Sequence, residues 1–181
     1  MLPHQPPRAH LLPARATEVV SDHAPPLARR MLSWTYEGVL LFGVVFISGY
    51  LFSALTQARH ALAQRHGLQA FEFAILGIYF GWLWSRGQTL AMRTWGIRVV
   101  DGAGKSPTQL RALWRYLLSW LWFAPPLATS ALWQLPATTT VALMAIWVVL
   151  WAASSRLHPD RQFWHDALAG TRLIDVRPRG R

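Results

Sequence analysis

The sequence predicts an α-helical integral membrane protein of about four transmembrane helices, with short cytoplasmic amphipathic helices and a small two-stranded cytoplasmic β element. Composition is the first reason. Hydrophobic residues make up 52% and charged residues 14% of 181. That is about half the charged share of a soluble domain, too little polar surface to cover a water-facing core. The second reason is four long stretches nearly free of charge. The third is the distribution of basic residues, which alternates from one connecting segment to the next.

The chain opens with a tail, 1–26, that holds six of the twelve prolines and three histidines, the composition of a disordered segment. No cleavable signal peptide is expected. The first apolar stretch begins only after Arg30 and continues to spanning length, so it reads as an uncleaved signal anchor. The first span is 31–55, with Glu37 its one charge; crossing the hydrocarbon takes ~20 residues. The second, 68–84, carries Glu72 near one end. The third, 113–132, has Arg115 near its start, where a long side chain can snorkel to the headgroups. Pro125 and Pro126 lie within it and predict a kink or an early helix end. The fourth is 138–155. Trp34, Trp82, Trp84, Trp114, Trp133 and Trp151 fall near proposed span ends, the aromatic-belt position; Trp120, Trp122 and Trp147 do not. A membrane domain over 27–176 and a basic tail, 177–181, complete the organisation.

Of the 18 lysines and arginines, fifteen fall before the first span, between the second and third, or after the fourth. Two fall between the first and second spans, none between the third and fourth, and Arg115 lies inside the third. By the positive-inside rule both termini face the cytoplasm, as expected of an inner-membrane protein. The same distribution accounts for the formal charge of +10 without a nucleic-acid partner. With no cysteine, disulfides, thiolate metal sites and cysteine nucleophiles are excluded.

Gly96-Ile-Arg-Val-Val-Asp101 and Gly170-Thr-Arg-Leu-Ile-Asp175 share one pattern, with Arg98 and Arg172 at equivalent places. Each follows a short amphipathic stretch, Gln88–Trp95 and Asp160–Ala169, with glycine where a helix would end. The pattern predicts two strands, 97–100 and 172–176, paired on the cytoplasmic side. Asp101-Gly-Ala-Gly104 is a turn that ends the first. It lacks the spacing of a nucleotide loop.

The candidate chemistry is sparse. Glu37 lies two helical turns after Arg30, on the same face and ~10 Å into the bilayer. A carboxylate there must face the bundle interior, either as a proton- or cation-binding group or as a structural anchor to Arg30, Arg115 or a neighbouring helix. Glu72, near the outer end, has Arg59, His60, Arg65 and His66 as natural partners. His158, Asp160, His165 and Asp166 are metal-capable types, but His-Pro-Asp breaks any helical ligand geometry. Asp160 is more economically an N-cap, and Asp166 an ion-pair partner for an arginine. No metal, no cofactor and no enzymatic activity is expected, because no motif for hydrolytic or phosphoryl-transfer catalysis occurs.

Taken together, Ala28-Arg-Arg-Met-Leu, Gly87-Gln-Thr-Leu-Ala-Met92 with Gly96–Asp101, Arg111-Ala-Leu-Trp-Arg-Tyr116 and His165-Asp-Ala-Leu-Ala-Gly-Thr-Arg172 resemble the RDD family of small bacterial membrane proteins over about 26–176. Carried over by this resemblance, the family arginine falls on Arg30 or Arg29, the mid-helix aspartate on Glu37 and the last aspartate on Asp166. Glu37 departs by one methylene and keeps the acid. The resemblance implies transport of unidentified ligands, including cation/proton exchange, in a family without a settled activity. Four helices are few for a pathway, so transport calls for a homo-oligomer or a membrane partner. The rival is an accessory or scaffold protein that binds a partner protein or anionic lipid headgroups through its cytoplasmic face.

Overall fold

The computed structural model describes residues 24–56 and 65–177. The N-terminal tail up to residue 23, Arg59, His60 and the last four residues lie outside them. Pro25 and Pro26 stop any earlier helix and leave α1 (Leu27–Thr56) free to start, with Arg30 N–H donating to the Pro26 carbonyl. The remaining elements are α2 (Arg65–Ser85), α3 (Leu90–Thr94), β1 (Ile97–Asp101), α4 (Gln109–Ser119), a 3-10 turn (Trp120–Trp122), α5 (Ala124–Leu132), α6 (Ala137–Ser154), α7 (Trp164–Leu168) and β2 (Thr171–Asp175).

Among the described residues two helices, α1 and α6, are long and apolar enough to cross a membrane. The burial pattern of α1 is the reverse of that of a helix in water. Its buried residues are Arg29, Arg30, Ser33, Glu37 and Ser48, while Phe42, Phe46, Ile47 and Tyr50 are each at least 66% exposed. A water-facing helix buries its apolar stripe. In lipid the polar groups must turn inward and the apolar ones are already solvated, which is the arrangement here. The α6 helix likewise exposes Val141, Ile146, Val149 and Leu150.

The expected third span, 113–132, is not one helix. The α4 helix starts earlier, at Gln109, with the Thr108 hydroxyl accepting from Arg111 N–H as its cap, and ends at Ser119. The chain then tightens through Trp120–Trp122 and restarts at Ala124 with Pro125 in the first turn of α5. The break precedes the prolines rather than following them. A first-turn proline gives up an N–H that has no helical partner anyway, whereas an interior one would clash with the preceding turn. Arg115 does not snorkel: it is 3% exposed and points inward beside Tyr116. Tyr116 rests against Gly77 of α2, where an added Cβ would meet its ring at 3.2 Å. Its hydroxyl donates to the Phe73 carbonyl at 2.8 Å. Small residues are how helices approach closely in lipid, where no hydrophobic drive acts between them.

The strands pair antiparallel, Ile97 with Asp175 through Asp101 with Thr171. The second strand begins one residue earlier than the pattern predicts. Gly96 and Gly170 both have φ +62°, the left-handed conformation that ends α3 and α7 and turns each chain into its strand. The likeness between the two units is longer than six residues. Gln88 and Gln162 each stand eight residues before the glycine, and each binds its strand's backbone. Gln88 Nε2 donates to the Ile97 carbonyl at 2.8 Å; Gln162 donates to and accepts from Leu173, both at 3.0 Å. Ile97, Val99 and Leu173 pack with Trp84, Tyr116, Trp122 and Phe163 into the core beneath the sheet.

Candidate functional site

A cavity of about 450 Å³ opens between α1, α2, α4, the 3-10 turn and the sheet, within the ~300–1,000 Å³ range of small-molecule sites. Leu41, Leu76, Phe80, Trp120 and Phe123 give it apolar walls, and Arg30, Ser33, Glu37, Arg115, Ser119 and His165 supply its polar groups. Trp34, Thr35 and Gly38 line it and are also exposed on α1, so it opens on that side.

Glu37 is 7% exposed and is held by hydroxyls of neighbouring elements. Tyr79 of α2 donates to Oε1 at 2.6 Å, and Thr89 donates to Oε2. Thr89 is also the N-cap of α3, its oxygen accepting from Met92 N–H at 3.1 Å. The carboxylate thus joins α1, α2 and the first short helix. Of the partners the sequence offered, a neighbouring helix is the one found; Arg30 and Arg115 make no ion pair with Glu37.

Arg30 lies at the other end of the same face. Its guanidinium stacks over Phe163, 4.3 Å from the ring centre, and Nη2 reaches Ser155 Oγ at 3.5 Å. Its Nε and Nη1 are buried without a hydrogen-bond partner. Arg29 turns instead to the sheet and pairs with Asp175 at 2.5 Å. Burial opposes ionisation of Asp175, and hydrogen bonds from Arg29 and Arg177 outweigh it, holding the carboxyl below its ordinary range.

Asp166 is fully buried, and its partner is Arg115, an arginine from inside the expected third span. Arg115 Nε and Nη2 donate to Oδ1 at 2.7 and 2.6 Å. The guanidinium also lies over Trp84, 3.9 Å from the ring centre. His165 completes the group. Its Nδ1 accepts from Trp122 Nε1–H at 3.2 Å, so in the neutral ring the proton is on Nε2, 3.2 Å from Asp166 Oδ1. Burial raises the cost of ionising Asp166; the charge of Arg115 and hydrogen bonds from Arg115 and His165 override it and keep the carboxyl well below the usual range.

The structure therefore brings Arg30, Glu37 and His165 to one cavity, with Asp166 behind it. The other candidates lie elsewhere. Asp101 accepts from Ala103 and Lys105 N–H, both at 2.9 Å, and fastens the turn after β1. Arg98 and Arg172 share one face of the sheet, by its register. Glu72 faces Ser48 Oγ at 2.9 and 2.7 Å across a gap kept narrow by Gly49. Asp160 is exposed and caps no helix, because α7 starts later, after Phe163. No group of three or more His, Cys, Asp or Glu among the described residues could hold a metal.

Tyr79 and Thr89 carry no signal in the sequence, and Arg115 and Trp122 stand out there for other reasons than their contacts with Asp166 and His165. For Arg115 a signal exists: Ala112, Arg115 and Tyr116 are spaced as one helix face, and that face is the buried one.

Lipid-facing apolar helices around buried charged side chains define a membrane protein. The model of the RDD family matches residues 24–170, and this chain belongs to the RDD family. The matched region runs from before α1 through α7 and ends one residue before β2. No curated protein and no solved structure shows significant similarity to the chain.

Proposed function

We propose that the chain is a multi-pass inner-membrane transport protein for a small solute, with Glu37 as its ionisable group and both termini cytoplasmic. One observation carries the reading: a ligand-sized cavity, reached from the surface of α1, on which Arg30, Glu37, Arg115 and His165 converge. A cavity that served packing alone would have no reason to hold four ionisable side chains.

Four crossings find support in parity. Paired strands lie on one side of a membrane. If α6 crosses between β1 and β2, the chain must cross once more between them, and α4 with α5 is the segment available. The same holds for α1 and α2, since Arg29 at the start of α1 pairs with Asp175 of β2 and Thr89, just after α2, caps the short helix α3 that leads into β1. The break at Trp120–Phe123 then lies within a discontinuous span, a common place for a transport site. A homo-oligomer would supply the rest of a pathway. Cation/proton exchange is the narrower version. Two guanidiniums in the cavity favour an organic solute over a bare cation. The accessory reading draws on exposed Arg86, Arg93, Lys105 and Arg111 beside β1, a basic surface suited to anionic headgroups.

The test is proton movement in proteoliposomes carrying a pH-sensitive dye, challenged with sodium chloride, potassium chloride or sodium hexanesulfonate. Wild type should move protons with at least one probe, and Glu37→Gln should not. No proton movement above protein-free vesicles with any probe would sink the transport reading. Equal rates in the two proteins would remove Glu37 from it.

A further inference from the structure

The cavity is chemically lopsided, and the imbalance names a ligand. At one end two buried arginines stand close to a single fully buried aspartate. Arg115 spends its charge on Asp166. Arg30 has no carboxylate partner among the described residues, is 4% exposed, and keeps Nε and Nη1 without acceptors. An unmatched buried guanidinium is costly to desolvate and is normally paired. The Phe163 face and a long contact to Ser155 compensate only part of that cost. Apart from Ser33, Ser119 and the hydroxyl-bound Glu37, the rest of the wall is aliphatic and aromatic and leads to the opening beside Thr35 and Gly38. A Cβ added at Gly38 would meet nothing within 4 Å.

We infer that the cavity binds a single-chain amphiphilic anion, a carboxylate or phosphate monoester, with its head on the free Arg30 nitrogens and its chain along the apolar wall toward Gly38. This rests on the transport reading only for what binding accomplishes, since binding itself needs no gradient. Glu37 does not oppose the head: it stands two helical turns away and is held by the Tyr79 and Thr89 hydroxyls. A cation would meet Arg30, and a wholly apolar solute would leave its donors unpaired. The cavity is too small to enclose a two-chain phospholipid.

The test uses the full chain in phosphatidylcholine nanodiscs, titrated calorimetrically with dodecyl phosphate against empty discs. A saturable 1:1 component is expected. Arg30→Gln should weaken it by ~10-fold to ~100-fold, the scale of a lost charge-assisted hydrogen bond, and Arg30→Lys should restore part of it. Should Arg30→Gln fail to fold, Gly38→Leu, which fills the chain end without touching Arg30, must weaken binding instead. Dodecylphosphocholine, with the same chain and a zwitterionic head, and inorganic phosphate, with no chain, should give no saturable component. Absence of the component in wild type, or equal binding of dodecylphosphocholine, would overturn the inference. So would loss of the component on adding phosphatidylglycerol to the discs, which would make the occupant a bilayer lipid. Saturable binding without proton movement in vesicles would sink transport and leave this site standing.

Discussion

Replacing Asp166 with Asn is expected to lower stability by about 3–5 kcal/mol, the cost of leaving a buried charge without its partner. Arg115 would keep its place over Trp84, 3% exposed, with no anion to answer it. Replacing both residues together, Arg115→Met with Asp166→Leu, should restore most of the loss, because the second charge no longer has to be buried. The pair also sets a pH dependence. The Asp166 carboxyl is depressed in the folded protein despite its burial. Its contribution to stability is therefore present above the ordinary carboxylate range, ~4, and is lost as pH falls below that toward the folded value. Thermal unfolding in detergent, followed by tryptophan fluorescence across acid pH, would show wild type losing stability below about pH 4 more steeply than Asp166→Asn. A parallel decline in the two proteins would contradict this account of Asp166.

Trp122→Ala is the second large effect, about 3–5 kcal/mol for truncating a buried aromatic. The indole is 3% exposed, stacked on Trp34 at 5.7 Å and edge-on to Phe163 at 5.2 Å. It also supplies the N–H that His165 Nδ1 accepts. Trp122→Phe should retain most of the packing and lose the hydrogen bond, about 1 kcal/mol, plus the penalty of an unmet acceptor. The difference between the two variants, read from the same unfolding experiment, separates ring packing from the latch on His165. Equal losses would mean the hydrogen bond dominates.

Much of the fold could be read in the chain because lipid makes simple demands. Two expected spans, 31–55 and 138–155, coincide with α1 and α6, the described helices long and apolar enough to cross a membrane; 68–84 falls in a helix, α2, that does not meet that measure. The two strands were visible because glycine, arginine and aspartate recur at the same spacing around aliphatic pairs. What the reading missed follows from treating segments singly. In 113–132 hydropathy sums over a residue that faces inward and a break that backbone geometry requires, so it returns one helix where there are two. Arg115 then looks like an interfacial charge, although its carboxylate lies fifty-one positions later. Glu37 could be placed facing inward, by cost alone. Its partners could not be named, because Tyr79 and Thr89 are hydroxyls whose role depends on which helix lies opposite.

The chain has no cysteine, so a single introduced thiol can report on the cavity directly. Ser119 lines it and is half-buried. Ser119→Cys in the full chain should react with a maleimide while the protein is folded, and dodecyl phosphate should slow that reaction. No labelling in folded protein, or labelling that dodecyl phosphate leaves unchanged, would contradict a solute cavity that opens beside α1.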